Sequence, residues 1–175
     1  MHTRILLTPF LLAISLAVGS ASTSTSTGPQ TIDLASAPCP NTRPCDPRAR
    51  GPDLPQRQQE ATAHFATTLL QQHNVQAAFD QYAPGEYIQH NPNAELGRNW
   101  TITFLQALFS DPAASTTNLR VFTGQGYGLA HYKLKLTGRT LAVMDVWRFE
   151  GTCVVEHWDV IQGITGNEPN PIAFF

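Results

Sequence analysis

Residues 141–162 read LAVMDVWRFEGTCVVEHWDVIQ. Two runs rich in Val, Ile, Phe and Trp flank Glu150-Gly151-Thr152, the pattern of two strands joined by a tight turn. The same segment carries Asp145, Arg148, Glu156, His157 and Asp159. An ionised side chain in such apolar company is costly unless it is paired or hydrogen-bonded. Acids and an imidazole on a sheet face are what a proton-transfer pocket requires.

Side chains alternate across a strand, so spacing decides which groups can meet. In the second run Val155, His157, Asp159 and Ile161 share one face, and Val154, Glu156, Trp158 and Val160 share the other. In the first run Asp145, Trp147 and Phe149 lie opposite Met144, Val146 and Arg148. The residues alone leave open which set points inward. Asp145, His157 and Asp159 together could store and release a proton. Arg148, Glu156 and Trp158 suit an ion pair on a half-exposed face.

Working outward, residues 119–123, 127–136, 140–149 and 154–162 read as strands. Gly124-Gln125-Gly126 and Thr137-Gly138-Arg139 form the other turns. Connections this short imply an antiparallel meander. Upstream, Ala61, Phe65, Thr68, Leu69 and Gln72 recur at helical spacing over residues 56–73, and a second helix over 75–82 ends before Pro84-Gly85. Residues 87–92, YIQHNP, read as a short extended piece closed by proline. Asn99 is placed to cap a third helix, which passes Phe104, Leu105, Leu108 and Phe109 and stops at Asp111-Pro112. Helices followed by a sheet make the fold class α+β.

The N-terminus has its own pattern. His2 and Arg4 precede an apolar run over residues 5–18 and then small residues, which predicts a secretory signal peptide over residues 1–21. Residues 22–54 are dominated by Ser, Thr, Pro, Ala and Gly, a composition expected of a mobile leader. The domain is expected over residues 55–163 and a tail over 164–175. No second long apolar run follows, so no membrane partner is expected once the signal is removed. A net charge of −2 without a Lys/Arg cluster argues against nucleic acid as the main partner. Secretion gives meaning to Asn99-Trp100-Thr101, an N-glycosylation acceptor. It also favours a small disulfide loop between Cys39 and Cys45 in CPNTRPC, leaving Cys153 a single thiol. The cysteine spacing does not match a zinc site, and no metal is expected.

Further candidates lie upstream of the hairpin. His90 and Asn91 sit in a turn-like stretch and could project into the pocket. His131 belongs to an alternating strand and could do the same, with Tyr87 and Trp147 as further lining residues. His64 and His73 on the first helix are expected at the surface.

With EHWDVIQ, the DVWRFEG hairpin before it and YIQHNP followed by Gly97, the chain resembles the SnoaL-like polyketide cyclases of the nuclear-transport-factor-2-like superfamily. The resemblance covers residues 54–162. It implies a cone-shaped, strongly bent antiparallel sheet closed by three helices around an apolar pocket, with the Asp145, His157 and Asp159 face turned inward. In the cyclases an aspartate on the last strand is the acid/base of an intramolecular aldol ring closure, and Asp159 matches it. A histidine assists from the preceding strand; this chain has Asp145 at the matching position. The implied activity is a cofactor-independent cyclisation, isomerisation or dehydration of a small apolar carbonyl compound. Asp159 would remove a proton, and His90, His157 or a tyrosine would stabilise the enolate. A non-catalytic ligand-binding domain is the alternative use of the fold. Dimers are common in the superfamily, so a homodimer is expected.

Overall fold

The computed structural model describes residues 44–175. The expected signal peptide, most of the leader and Cys39 lie outside the described residues.

Helix α1 (Leu54–Ala66) starts with proline in its first turn, where no amide donor is needed. It buries Gln58, Ala61, Thr62, Phe65 and Ala66, a stripe at spacings of three and four. The expected helix over 56–73 does not stay α-helical: Thr67–Gln71 form a π turn. That widened turn buries Thr68, Leu69 and Leu70 together. Helix α2 (Val75–Tyr82) is capped by the Asn74 side chain and buries Val75, Ala78, Phe79 and Tyr82. Helix α3 (Arg98–Phe109) begins after Gly97, so Asn99 lies in its first turn and is not the cap.

Five strands follow the expected order with one addition. They are β1 (Ile88–Gln89), β2 (Ser115–Gly124), β3 (Tyr127–Leu136), β4 (Arg139–Glu150) and β5 (Cys153–Ile164). The sheet order is β1-β5-β4-β3-β2. Strands β2 to β5 form the antiparallel meander, whereas β1 pairs parallel with β5, Gln89 lying opposite His157. Irregularities interrupt the β2–β3 pairing between Thr117 and Arg120 and the β4–β5 pairing between Arg148 and Phe149. Bulges of this kind bend a sheet. The second one also changes a face: Val154, expected outside, lies opposite Phe149 and is 1% exposed.

The helices pack on the inner face, where Phe65 meets Trp147 and Phe79 edge-on at 5.0 and 5.8 Å between ring centroids. This is an α+β fold with a bent, mainly antiparallel sheet closed by three helices.

The cysteine pairing corrects the sequence expectation. Cys45 is bonded to Cys153, so Cys153 is not a single thiol and Cys45 is not paired with Cys39. The cause is the path of residues 44–50, which lie against the β4–β5 turn instead of extending as leader. The Cys45 amide donates to the Gln81 carbonyl at 2.7 Å, and Asp46 and Thr152 exchange hydrogen bonds. Gly151 makes this docking feasible. Its φ is +56°, and a Cβ there would stand 2.1 Å from the Asp46 carbonyl oxygen. Gly151→Ala is therefore expected to cost about 2–5 kcal/mol, combining left-handed strain with forced separation of the docked segment. A shift in the denaturant midpoint at unchanged slope would measure it.

Candidate functional site

The inner face of the sheet is lined by aromatic rings before any polar group appears. Trp147 on β4 is 1% exposed. The His157 ring lies roughly parallel to both the Tyr87 and Trp147 rings, at 6.2 and 6.4 Å between centroids. Strand register brings the acids in beside it. Asp145 is directly opposite Asp159, and Trp147 is opposite His157. Two like charges facing each other across a strand pair repel. The imidazole of His157 lies within reach of both: Asp145, His157 and Asp159 each offer an atom within 4.8 Å of the others.

Neighbours fix which atoms are free. The Gln89 side-chain oxygen accepts from the Asn91 backbone amide at 2.9 Å and lies 2.9 Å from His157 Nδ1. A backbone amide can only donate, so Gln89 presents oxygen there and His157 Nδ1 carries a hydrogen. His157 Nε2 then faces Asp145 Oδ1 at 3.2 Å. The other Asp145 oxygen accepts from the Tyr132 hydroxyl at 3.0 Å. Both Asp145 oxygens are thus engaged. Asp159 differs: Asn91 Nδ2 donates to its Oδ2 at 2.6 Å, and no described residue bonds Oδ1.

Two buried phenols complete the floor. Burial, followed by the charge of Asp145, raises the Tyr87 and Tyr132 hydroxyls well above their ordinary value. Both remain neutral donors through the physiological range. Tyr132 is spent on Asp145, whereas Tyr87 makes no hydrogen bond to another described residue. Tyr132→Phe leaves a buried carboxylate oxygen without its donor and should cost about 1–3 kcal/mol, read as a lower denaturant midpoint.

These groups open into a cavity of about 570 Å³ whose walls are largely apolar, including Leu69, Leu70, Leu105, Leu134, Val143 and Ile161. Tyr87, Gln89, Asn91, Asp145, His157 and Asp159 line its polar end. Trp147 lines the cavity as well. The same Asp-His-Asp trio is close enough to hold a cation.

Two expected pocket residues lie elsewhere. His90 is exposed on the opposite side of the sheet, stacked on Trp158 at 4.6 Å and bonded to Glu156 at 2.7 Å. Alternation explains it, since Tyr87, Gln89 and Asn91 take the inner positions. Arg148 completes this outer cluster through Glu156, as the outward set of the hairpin suggested. The contacts to His90 and then Arg148 hold the Glu156 carboxyl below its ordinary value. His131 also faces outward, stacked on Phe175 of the tail at 4.9 Å. Gln89 and Tyr132 were not singled out from sequence, although period-two spacing in YIQHN places Gln89 with Tyr87 and Asn91.

Solved structures share this architecture. A nuclear-transport-factor-2-like protein of unknown function from Mesorhizobium loti aligns over 66% of this chain and 98% of its own, at 17% identity and TM-score 0.54. A candidate ketosteroid isomerase from Kribbella flavida aligns over 66% and 84%, at 17% identity and TM-score 0.52. A candidate polyketide cyclase from Acidithiobacillus ferrooxidans aligns over 61% and 88%, at 16% identity and TM-score 0.50. No family model and no curated protein matches the chain. The structural likenesses show that the fold is nuclear-transport-factor-2-like.

Proposed function

We propose that this protein is a cofactor-independent acid–base enzyme for a small carbonyl compound, performing an aldol-type cyclisation, isomerisation or dehydration. The observation that supports it most is the free Oδ1 of Asp159, held by Asn91 at the polar end of an otherwise apolar cavity. A carboxylate oriented through one oxygen and open through the other is built to take a proton from a guest. Tyr87, a neutral phenol lining the same cavity, would donate to the developing enolate oxygen. Asp159, protonated by that step, would return the proton at the product stage, while His157 stays oriented by Gln89 beside Asp145. Such chemistry requires only the acidity of the substrate's own α-carbon.

The test is hydrogen exchange. Small ketones and dicarbonyl compounds incubated with the protein in heavy water should gain deuterium at the α-carbon faster than in buffer, followed by NMR. Chelator should leave that rate unchanged, because the proposed proton transfer uses only side chains of this protein. Ligand binding without accelerated exchange would overturn catalysis in favour of a binding domain, a reading that the apolar walls also support.

We also infer secretion. The N-terminal pattern and a disulfide support it, and no helix among the described residues is long and apolar enough to cross a membrane. Asn99 is exposed in the first turn of α3, accessible for a glycan. Exposed Ile88, Tyr127, Met144 and Val160 support a homodimer through the outer sheet face.

A further inference from the structure

The inner row of β4 contains one charged residue that the acid–base reading does not use. Arg139, Leu141, Val143, Asp145 and Trp147 follow one another at every second position, and all five line the cavity. Arg139 and Asp145 are six residues apart, which at a rise of ~3.4 Å separates their backbones by about 20 Å. The cavity is therefore a trough with acids towards one end and a guanidinium at the other.

The walls between are apolar on each side. Leu134 on β3 lies opposite Leu141, and Ile161 on β5 lies opposite Val143. Gly163 faces Leu141 from β5 and adds no side chain, which keeps that stretch of the trough wide. Helix α3 contributes Phe104, Leu105 and Leu108. Its C-terminal end is fixed beside Arg139, because Asp111 accepts from the amide and hydroxyl of Thr137 in the β3–β4 turn.

The Arg139 guanidinium forms no ion pair or hydrogen bond with any described residue. Asp111 is the acid whose charge it influences, but both Asp111 oxygens are taken by Thr137 and one also by Ala113. An unpaired guanidinium on the rim of an apolar trough matches a carboxylate, which it can hold through two parallel hydrogen bonds.

We propose that the substrate is an amphipathic carboxylic acid. Its carboxylate docks on Arg139, its apolar body lies over Leu134, Leu141, Val143 and Leu108, and its reacting carbonyl reaches Asp159. The orientation of the carbonyl rests on the acid–base reading of the far end; the carboxylate subsite does not.

The experiment compares 9-oxodecanoate with its methyl ester, using Trp100 and Trp147 in the cavity wall as fluorescence reporters of binding. The acid should bind about tenfold more tightly than the ester, and Arg139→Gln should reduce that preference to under about twofold. Arg139 is exposed, so its replacement should leave the melting temperature unchanged. Equal binding of acid and ester, or a preference that survives Arg139→Gln, would overturn the proposal. Deuterium exchange next to the ketone is followed in the same samples. Preferential binding of the acid without exchange sustains the carboxylate subsite while removing the catalytic reading.

Discussion

Replacing Asp159 by Asn is expected to slow α-proton exchange by about 10²–10⁴-fold, the usual contribution of a positioned general base. The fold should survive. Asn keeps an oxygen that can accept from Asn91 Nδ2, and Asp159 is only half-buried. Asp145→Ala should behave differently, because both Asp145 oxygens carry partners: Tyr132 on one and His157 on the other. Removing the carboxyl leaves the buried Tyr132 hydroxyl and His157 Nε2 without their partner, so stability should fall together with rate. Exchange kinetics and melting curves for the two variants separate a reacting group from a positioning one. An Asp159→Asn protein that exchanges at the wild-type rate would refute the base assignment.

The hairpin was legible because its signals are local. Period-two alternation from Asp145 to Phe149, and again from Glu156 to Ile161, places each side chain once the inward face is chosen. The resemblance supplied that choice. Alternation failed only where an extra residue intervenes: the bulge after Arg148 turns Val154 inward. His90 was misplaced for a related reason. Residues 87–92 read as a short extended piece with a turn-like end at His90-Asn91, without a partner strand, because their strand is two residues long and pairs parallel with a strand far along the chain. Once that pairing exists, Gln89 must face His157 and His90 must face away. Gln89 therefore stayed unrecognised as the residue that sets the imidazole tautomer. The Arg139 end was equally hidden, since a turn arginine looks like any solvated charge until the sheet places it over the cavity.

The cysteine connectivity could not be read from spacing, because contact between Cys45 and Cys153 depends on the whole fold. Its removal should have one of the larger stability effects in this chain. The bridge joins residues 108 apart in sequence. Closing a loop of that size restricts the unfolded chain by roughly 4–5 kcal/mol in the chain-entropy model, and measured losses for native bridges run about 2–5 kcal/mol. Cys45→Ser with Cys153→Ser should accordingly lower the melting temperature by about 10–20 °C. The site should feel this less than the scaffold, since the bridge sits at the β4–β5 turn while Asp145 and Asp159 pair further along the same strands. Peptide mapping without reduction gives the independent check. A fragment linking Cys45 to Cys153 is expected, with Cys39 outside that pair. A Cys39–Cys45 fragment, or a double variant that melts with the native protein, would remove the bridge as the anchor of residues 44–50 on the β4–β5 turn.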